Sequence, residues 1–198
     1  MSVVDRIREE RLVAILRRVR DVDARVAAFA DAGVRVVEIT MDAPDAPAAI
    51  ERARERGVSV LAGTVRRPEQ VDAAAAAGAE AVVSPGLVAA VVTRARELGV
   101  PAIPGALTPS EVEAAWAAGA GLVKLFPGSL GGPRYVRELL APLADVPLLV
   151  TGGIDASNAR AFLDAGAVAV GAGSALDDLG EAGRLVAATR LTSSRRLR

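Results

Sequence analysis

Residues Asp31–Thr40 read DAGVRVVEIT. Gly33 suits the left-handed residue that ends many helices, since it has no Cβ to clash there. The run after it is nearly all apolar and β-branched, as a strand buried on both faces requires. This one stretch therefore reads as a helix stop followed by a strand. The same form recurs at Glu55–Thr64 (ERGVSVLAGT), Ala76–Gly86 (AAGAEAVVSPG), Glu97–Leu107 (ELGVPAIPGAL), Ala117–Gly128 (AAGAGLVKLFPG) and Asp164–Ser174 (DAGAVAVGAGS). The marker glycines are Gly33, Gly57, Gly78, Gly99, Gly119 and Gly166, at intervals of 24, 21, 21, 20 and 47 residues. The long interval holds about two units, and Arg134–Gly153 (RYVRELLAPLADVPLLVTGG) fills it, with Pro142 and Pro147 as punctuation.

Strands alternating with Ala-rich helical runs of about 10–15 residues imply βαβ units and a parallel sheet. With LVAILR at the start, eight strands are expected: Leu12–Arg17, Arg35–Thr40, Val58–Gly63, Ala81–Ser84, Ala102–Gly105, Leu122–Phe126, Leu148–Thr151 and Ala167–Gly171. Eight consecutive units favour an α/β fold of one kind, a closed (β/α)8 TIM barrel with an N-terminal helix. A doubly wound open sheet is the runner-up. The chain reads as one barrel domain over residues 1–190 with a polar tail over 191–198.

Composition narrows the function. The chain has 198 residues, 52% hydrophobic and 24% charged, with zero net charge. That is globular, and it gives no electrostatic case for a nucleic-acid partner. There is no cysteine, hence no disulfide or thiol chemistry, and no histidine, the usual zinc ligand and general base. No metal and no cofactor are expected, and acid–base work falls to Asp, Glu, Lys, Tyr or water. No long charge-free apolar run or secretory signal is read. The start, MSVVDRIREERL, has the pattern of a charged amphipathic helix. A cytoplasmic protein without a membrane partner is the expectation.

Within Gly121–Ser129, GLVKLFPGS, lies the only lysine, Lys124; the other 23 cationic side chains are arginine. Arginine stays charged at any accessible pH, whereas a desolvated lysine can lose its proton and attack a carbonyl. A lone lysine on an apolar strand is thus a candidate nucleophile; a snorkelling strand-end lysine is the bland alternative.

In a barrel the active site lies at the C-terminal strand ends. Those ends carry Arg17; Glu38, Thr40 and Asp42; Gly63 and Thr64; Ser84, Pro85 and Gly86; Pro104 and Gly105; Lys124 to Pro127; Thr151, Gly152 and Gly153; and Gly171, Gly173 and Ser174. Alternation puts Val36, Glu38 and Thr40 on one face of the second strand, and Leu122, Lys124 and Phe126 on one face of the sixth. If both faces point inward, Glu38 and Lys124 share one enclosed space, which suits a nucleophile and a proton-transfer partner. A structural ion pair is the alternative. The glycines after the last two strands suit an anion met by backbone N–H groups, and phosphate is frequently bound there in this fold.

These elements in order, VAILR, VVEIT, AGTV, SPG, PGALTPSE, VKLFP, TGGI and VGAGSAL, resemble the bacterial 2-keto-3-deoxy-6-phosphogluconate (KDPG) aldolase family, which includes 4-hydroxy-2-oxoglutarate (KHG) aldolases and 6-phosphogalactonate relatives. The resemblance covers most of the chain. It implies a class I aldolase in which Lys124 forms a Schiff base with a keto acid and Glu38 shuttles protons. It also implies that Thr64 holds the pyruvate carboxylate and that Arg17 lies near substrate anionic groups. Phe126 and Pro127 would wall the lysine pocket, while Thr151, Gly152, Gly153, Gly173 and Ser174 form the phosphate end. Pro85 and Pro104 are further candidates for substrate contact. The partner is a small-molecule keto acid, and a homotrimer is implied. One departure stands out: many members carry arginine where this chain has Asp42, so Arg17 is expected to pair with Asp42 or to take over the anchoring. A phosphate-binding barrel isomerase or synthase, and a non-catalytic small-anion binder, are the other readings.

Overall fold

In the computed structural model, which describes residues 1–18, 21–43 and 45–190, the chain alternates strand and helix after an opening helix α1 (Val3–Glu10). The strands are β1 (Leu12–Leu16), β2 (Val36–Thr40), β3 (Ser59–Gly63), β4 (Ala81–Val83), β5 (Ala102–Ile103), β6 (Gly105–Ala106), β7 (Val123–Leu125), β8 (Leu148–Thr151) and β9 (Ala169–Ala172). The connecting helices are α2 (Val22–Asp31), α3 (Ala46–Arg54), α4 (Pro68–Ala76), α5 (Ala89–Glu97), α6 (Pro109–Ala117), α7 (Gly132–Leu140), α8 (Ala159–Asp164) and α9 (Gly180–Thr189). At 6 to 10 residues, all but α2 and α9 are shorter than the expected 10–15. Each roughly 20-residue unit must also supply a strand and two connections. All six marker glycines take positive φ, from 69° to 113°, as helix-ending residues do. The tail expected over 191–198 lies outside the described residues.

All strand pairs are parallel, in the order β5-β4-β3-β2-β1-β9-β8-β7-β6. The first and last strands pair, the others follow in sequence, and the two ends of this order, β5 and β6, are separated only by Pro104, so the open doubly wound sheet is excluded. The strand count differs from the expected eight for a local reason. Pro104 has no N–H to give the ladder, so the fifth strand divides into β5 and β6. Its carbonyls keep the ring joined: Ser84 N–H donates to Ile103 O on one side, and on the other Lys124 N–H donates to Pro104 O and Phe126 N–H to Ala106 O.

The core has two parts. Between strands and helices lies the larger one, around Phe29, Ile50, Leu125, Leu148 and Leu185. Inside the ring, Val13, Val36, Leu61, Val83, Ile103, Leu122 and Leu149 fill the lower lumen. Val3 and Ile7 of α1 join that inner cluster, and Arg6 Nη1 donates to the buried Ser59 Oγ at 2.9 Å. The opening helix therefore stoppers the N-terminal end, leaving the C-terminal end as the open mouth.

Candidate active site

Leu122 belongs to the inner cluster, so alternation aims Lys124 into the lumen as well. Val36 does the same for Glu38 on β2. The two strands stand opposite each other in the ring, and their side chains meet across it. Lys124 Nζ lies 3.5 Å from Glu38 Oε1, with side chains 6% and 0% exposed. The lysine also lies over the Phe126 ring, 5.7 Å from its centroid.

This is a poor structural ion pair. A buried pair offsets its desolvation only with close geometry and full hydrogen bonding. Here the contact is long, and Glu38 Oε2 has no partner. The other buried side-chain oxygen without a partner among the described residues is Thr151 Oγ1, on β8. Leu149 is level with Lys124, and Thr151 is the next inward position above it. Buried polar atoms are nearly always satisfied. Two orphans in one lumen beside one amine mark a place built to receive something polar.

Above the lysine opens a cavity of about 420 Å³, the size of small-molecule sites. Its wall contains Arg17, Lys124, Phe126, Thr151, Gly152, Gly153, Gly173 and Ser174 from the expected set. Gly152 and Gly153 have φ of 91° and 74°, which turns the chain sharply over the mouth. A side chain at Gly152 would lie 3.1–3.2 Å from Pro127 and Phe126, so glycine lets that wall close in. Asn158 Nδ2 donates to Gly153 O at 2.8 Å and pins the loop.

Five expected residues are not on the cavity wall. Pro127 stands behind Gly152 and does not itself line the pocket. Glu38 is fully buried behind the lysine. Thr64 is half-buried at the end of β3 with φ of 57°, a strained conformation for a β-branched residue and one that clusters at functional sites. Pro104 is buried inside the fifth strand, and Pro85 is exposed with its carbonyl against Gly105.

Sequence reasoning missed Arg18 and Arg25, which also line the cavity. Arg18 adjoins Arg17, and a double arginine at a strand end was a visible signal. Arg25 on α2 gave none: its Nη1 donates to Leu176 O at 2.6 Å, in the neighbouring unit after β9. The expected partner of Asp42 is corrected too. Arg18 Nε, not Arg17, donates to Asp42 Oδ2 at 2.9 Å. Burial alone would raise the Asp42 carboxyl; the Thr40 hydroxyl and Arg18 outweigh it and hold it below the usual carboxylate range. With Arg18 and Arg25 engaged in this way, Arg17, exposed at the mouth, has no ion-pair partner among the described residues. Because Arg18 is 73% exposed, Asp42→Asn is expected to change stability by less than about 1 kcal/mol. A larger loss in thermal unfolding would show that the pair braces the β1–β2 end.

The cavity wall carries four cationic side chains against one acid, Asp177. A parallel (β/α)8 barrel whose C-terminal mouth sets one amine against one carboxylate, beneath glycine loops and arginines, is a barrel shaped for an anionic small molecule that meets an amine. The particular family follows from comparison: the chain belongs to the KDPG and KHG aldolases, matched over residues 3–189. It is 37% identical over 185 residues to the 2-dehydro-3-deoxy-6-phosphogalactonate aldolase of Escherichia coli (strain K12), covering 90% of this chain and 88% of that one. A solved 4-hydroxy-2-oxoglutarate/2-dehydro-3-deoxyphosphogluconate aldolase has a TM-score of 0.87 at 32% identity, covering 96% of this chain and 100% of that one. A chain of a cube-shaped cage designed by fusing symmetric oligomeric domains has a TM-score of 0.83 at 35% identity, covering 89% and 71%. No helix among the described residues is long and apolar enough to cross a membrane.

Proposed function

We propose that this chain is a class I aldolase that reversibly cleaves a 2-keto-3-deoxy-phospho sugar acid, or 4-hydroxy-2-oxoglutarate, to pyruvate plus glyceraldehyde 3-phosphate or glyoxylate. The observation that carries the reading is the sole lysine, buried in the barrel lumen 3.5 Å from a carboxylate whose second oxygen is unpartnered. Its family membership and its relatives' names agree.

The neutral Lys124 amine attacks the keto carbon, and loss of water leaves a protonated imine. The bond between C3 and C4 then breaks, and its electron pair enters the imine to give an enamine. The C4 hydroxyl loses its proton as the aldehyde forms. Glu38 accepts that proton, directly or through a water, and later returns one to C3. Hydrolysis of the imine releases pyruvate. Thr64 holds the pyruvate carboxylate, and Arg17 supplies charge for the anionic end. Gly152, Gly153, Gly173 and Ser174 receive the distal phosphate, with Thr151 at the edge of that end. Phe126 shapes the wall beside the lysine. Residues 1–190 act as one barrel domain, which works in the cytoplasm as a homotrimer. The likeness to a chain built from symmetric oligomeric domains supports multimer formation.

Borohydride trapping with pyruvate, followed by peptide mass spectrometry, tests the mechanism. Only Lys124 and the N-terminal amine offer a primary amine. A pyruvyl adduct on Lys124 is expected; its absence on folded protein would sink the imine. For the phosphate end, Ser174→Ala is expected to raise KM for phosphorylated substrates about tenfold and to spare unphosphorylated ones, as loss of a hydrogen bond to a charged group does. An equal rise for both substrate types would show that this loop does not grip phosphate.

A further inference from the structure

We infer that Gly63 is a positioning residue for the Glu38 carboxylate: the missing side chain at the end of β3 is the notch in which that carboxylate is held toward Lys124. The inference rests on the aldolase reading above and extends it to a residue that touches no substrate.

A Cβ built on Gly63 would run into Glu38 Oε1, and would lie 2.6 and 2.7 Å from its Cγ and Cδ. The three nearest atoms all belong to this one side chain. Oε1 is also the oxygen 3.5 Å from Lys124 Nζ. The oxygen that occupies the notch is therefore the one that faces the amine. Glycine is not needed here for its backbone, since Gly63 is not among the residues with positive φ. The notch cannot widen by recoil either. Gly63 pairs with Thr40 in the ladder, its carbonyl accepts from Met41 N–H at 2.8 Å, and Val65 N–H just beyond donates to Val83 O at 3.0 Å. Strands on both sides thus clamp the segment. Glu38 is fully buried, and its carboxylate is located mainly by packing: its one hydrogen bond is the long one from Lys124, and its other oxygen has none. An alanine would have to be met by movement of the carboxylate, by more than an ångström.

The test compares wild type, Gly63→Ala, Glu38→Ala and the double variant. Each is assayed for borohydride trapping of pyruvate on Lys124, for deuterium exchange into the pyruvate methyl group, and for thermal unfolding. Trapping reads the amine, and exchange reads the proton transfer at C3. In Gly63→Ala, trapping is expected to persist while exchange falls about a hundredfold, the cost of an ångström-scale misplacement. In the Glu38→Ala background the three atoms nearest the added methyl are gone, so it should change neither exchange nor Tm. If Gly63→Ala unfolds, a double variant as stable as Glu38→Ala would still place the conflict at that side chain. Wild-type exchange in Gly63→Ala, or a double variant that loses as much as Gly63→Ala does, would overturn the positioning role. Failure of wild type itself to trap pyruvate would instead overturn the imine reading.

Discussion

Replacing Lys124 with arginine is expected to lower aldol cleavage by about a thousandfold or more, as removal of a covalent nucleophile does, while the barrel stays folded. Arginine is the informative substitution because it keeps a cation beside Glu38 and over the Phe126 ring. It cannot serve as an amine nucleophile. Lys124→Ala is equally inactive in this account but harder to read. It leaves Glu38 as a fully buried charge with no partner, which costs about 3–5 kcal/mol in stability. Activity measured alongside thermal unfolding separates the two causes. A folded Lys124→Arg protein with wild-type turnover would rule out imine chemistry.

Glu38→Gln should be the second most damaging change. The amide fills the same volume and can still hydrogen-bond, so the fold and the Gly63 notch are respected. It cannot accept the proton released when the C3–C4 bond breaks. A fall in kcat of about 10²–10⁴-fold is expected, the usual worth of a positioned general acid or base. Trapping of pyruvate on Lys124 should survive, since the amine remains. Loss of both together would mean that Glu38 is needed to form the imine, not only to move protons after it. No loss of either would return the Lys124–Glu38 contact to a structural role.

The repeat built on DAGVRVVEIT foretold nearly every strand, because helix-ending glycines and doubly buried strands leave marks within a few residues of themselves. The same local rule put Lys124 on one face with Leu122 and Glu38 on one face with Val36; the inner cluster shows that both faces point inward. It did not foretell the break at Pro104 as a division of one strand into β5 and β6, although the missing N–H was there to be read. Nor did it reach Arg25, whose partner carbonyl at Leu176 is 151 residues away in sequence. Arg18 shows the boundary well. The doubled arginine at the end of β1 was legible, but which of the two meets Asp42 depends on how β1 and β2 end beside each other.

By itself, then, the sequence determined the order of βα units, which residues share a strand face, and the residue types that reach the mouth. Each follows from backbone periodicity and from chemistry carried by single residues. The tertiary structure alone decided that the ring closes through β1 and β9, that Lys124 and Glu38 stand 3.5 Å apart, and that the glutamate rests in the space left at Gly63. Those are distances between segments remote in the chain, set by how nine strands wind around one lumen and how side chains divide its volume. No periodicity within a single strand records them.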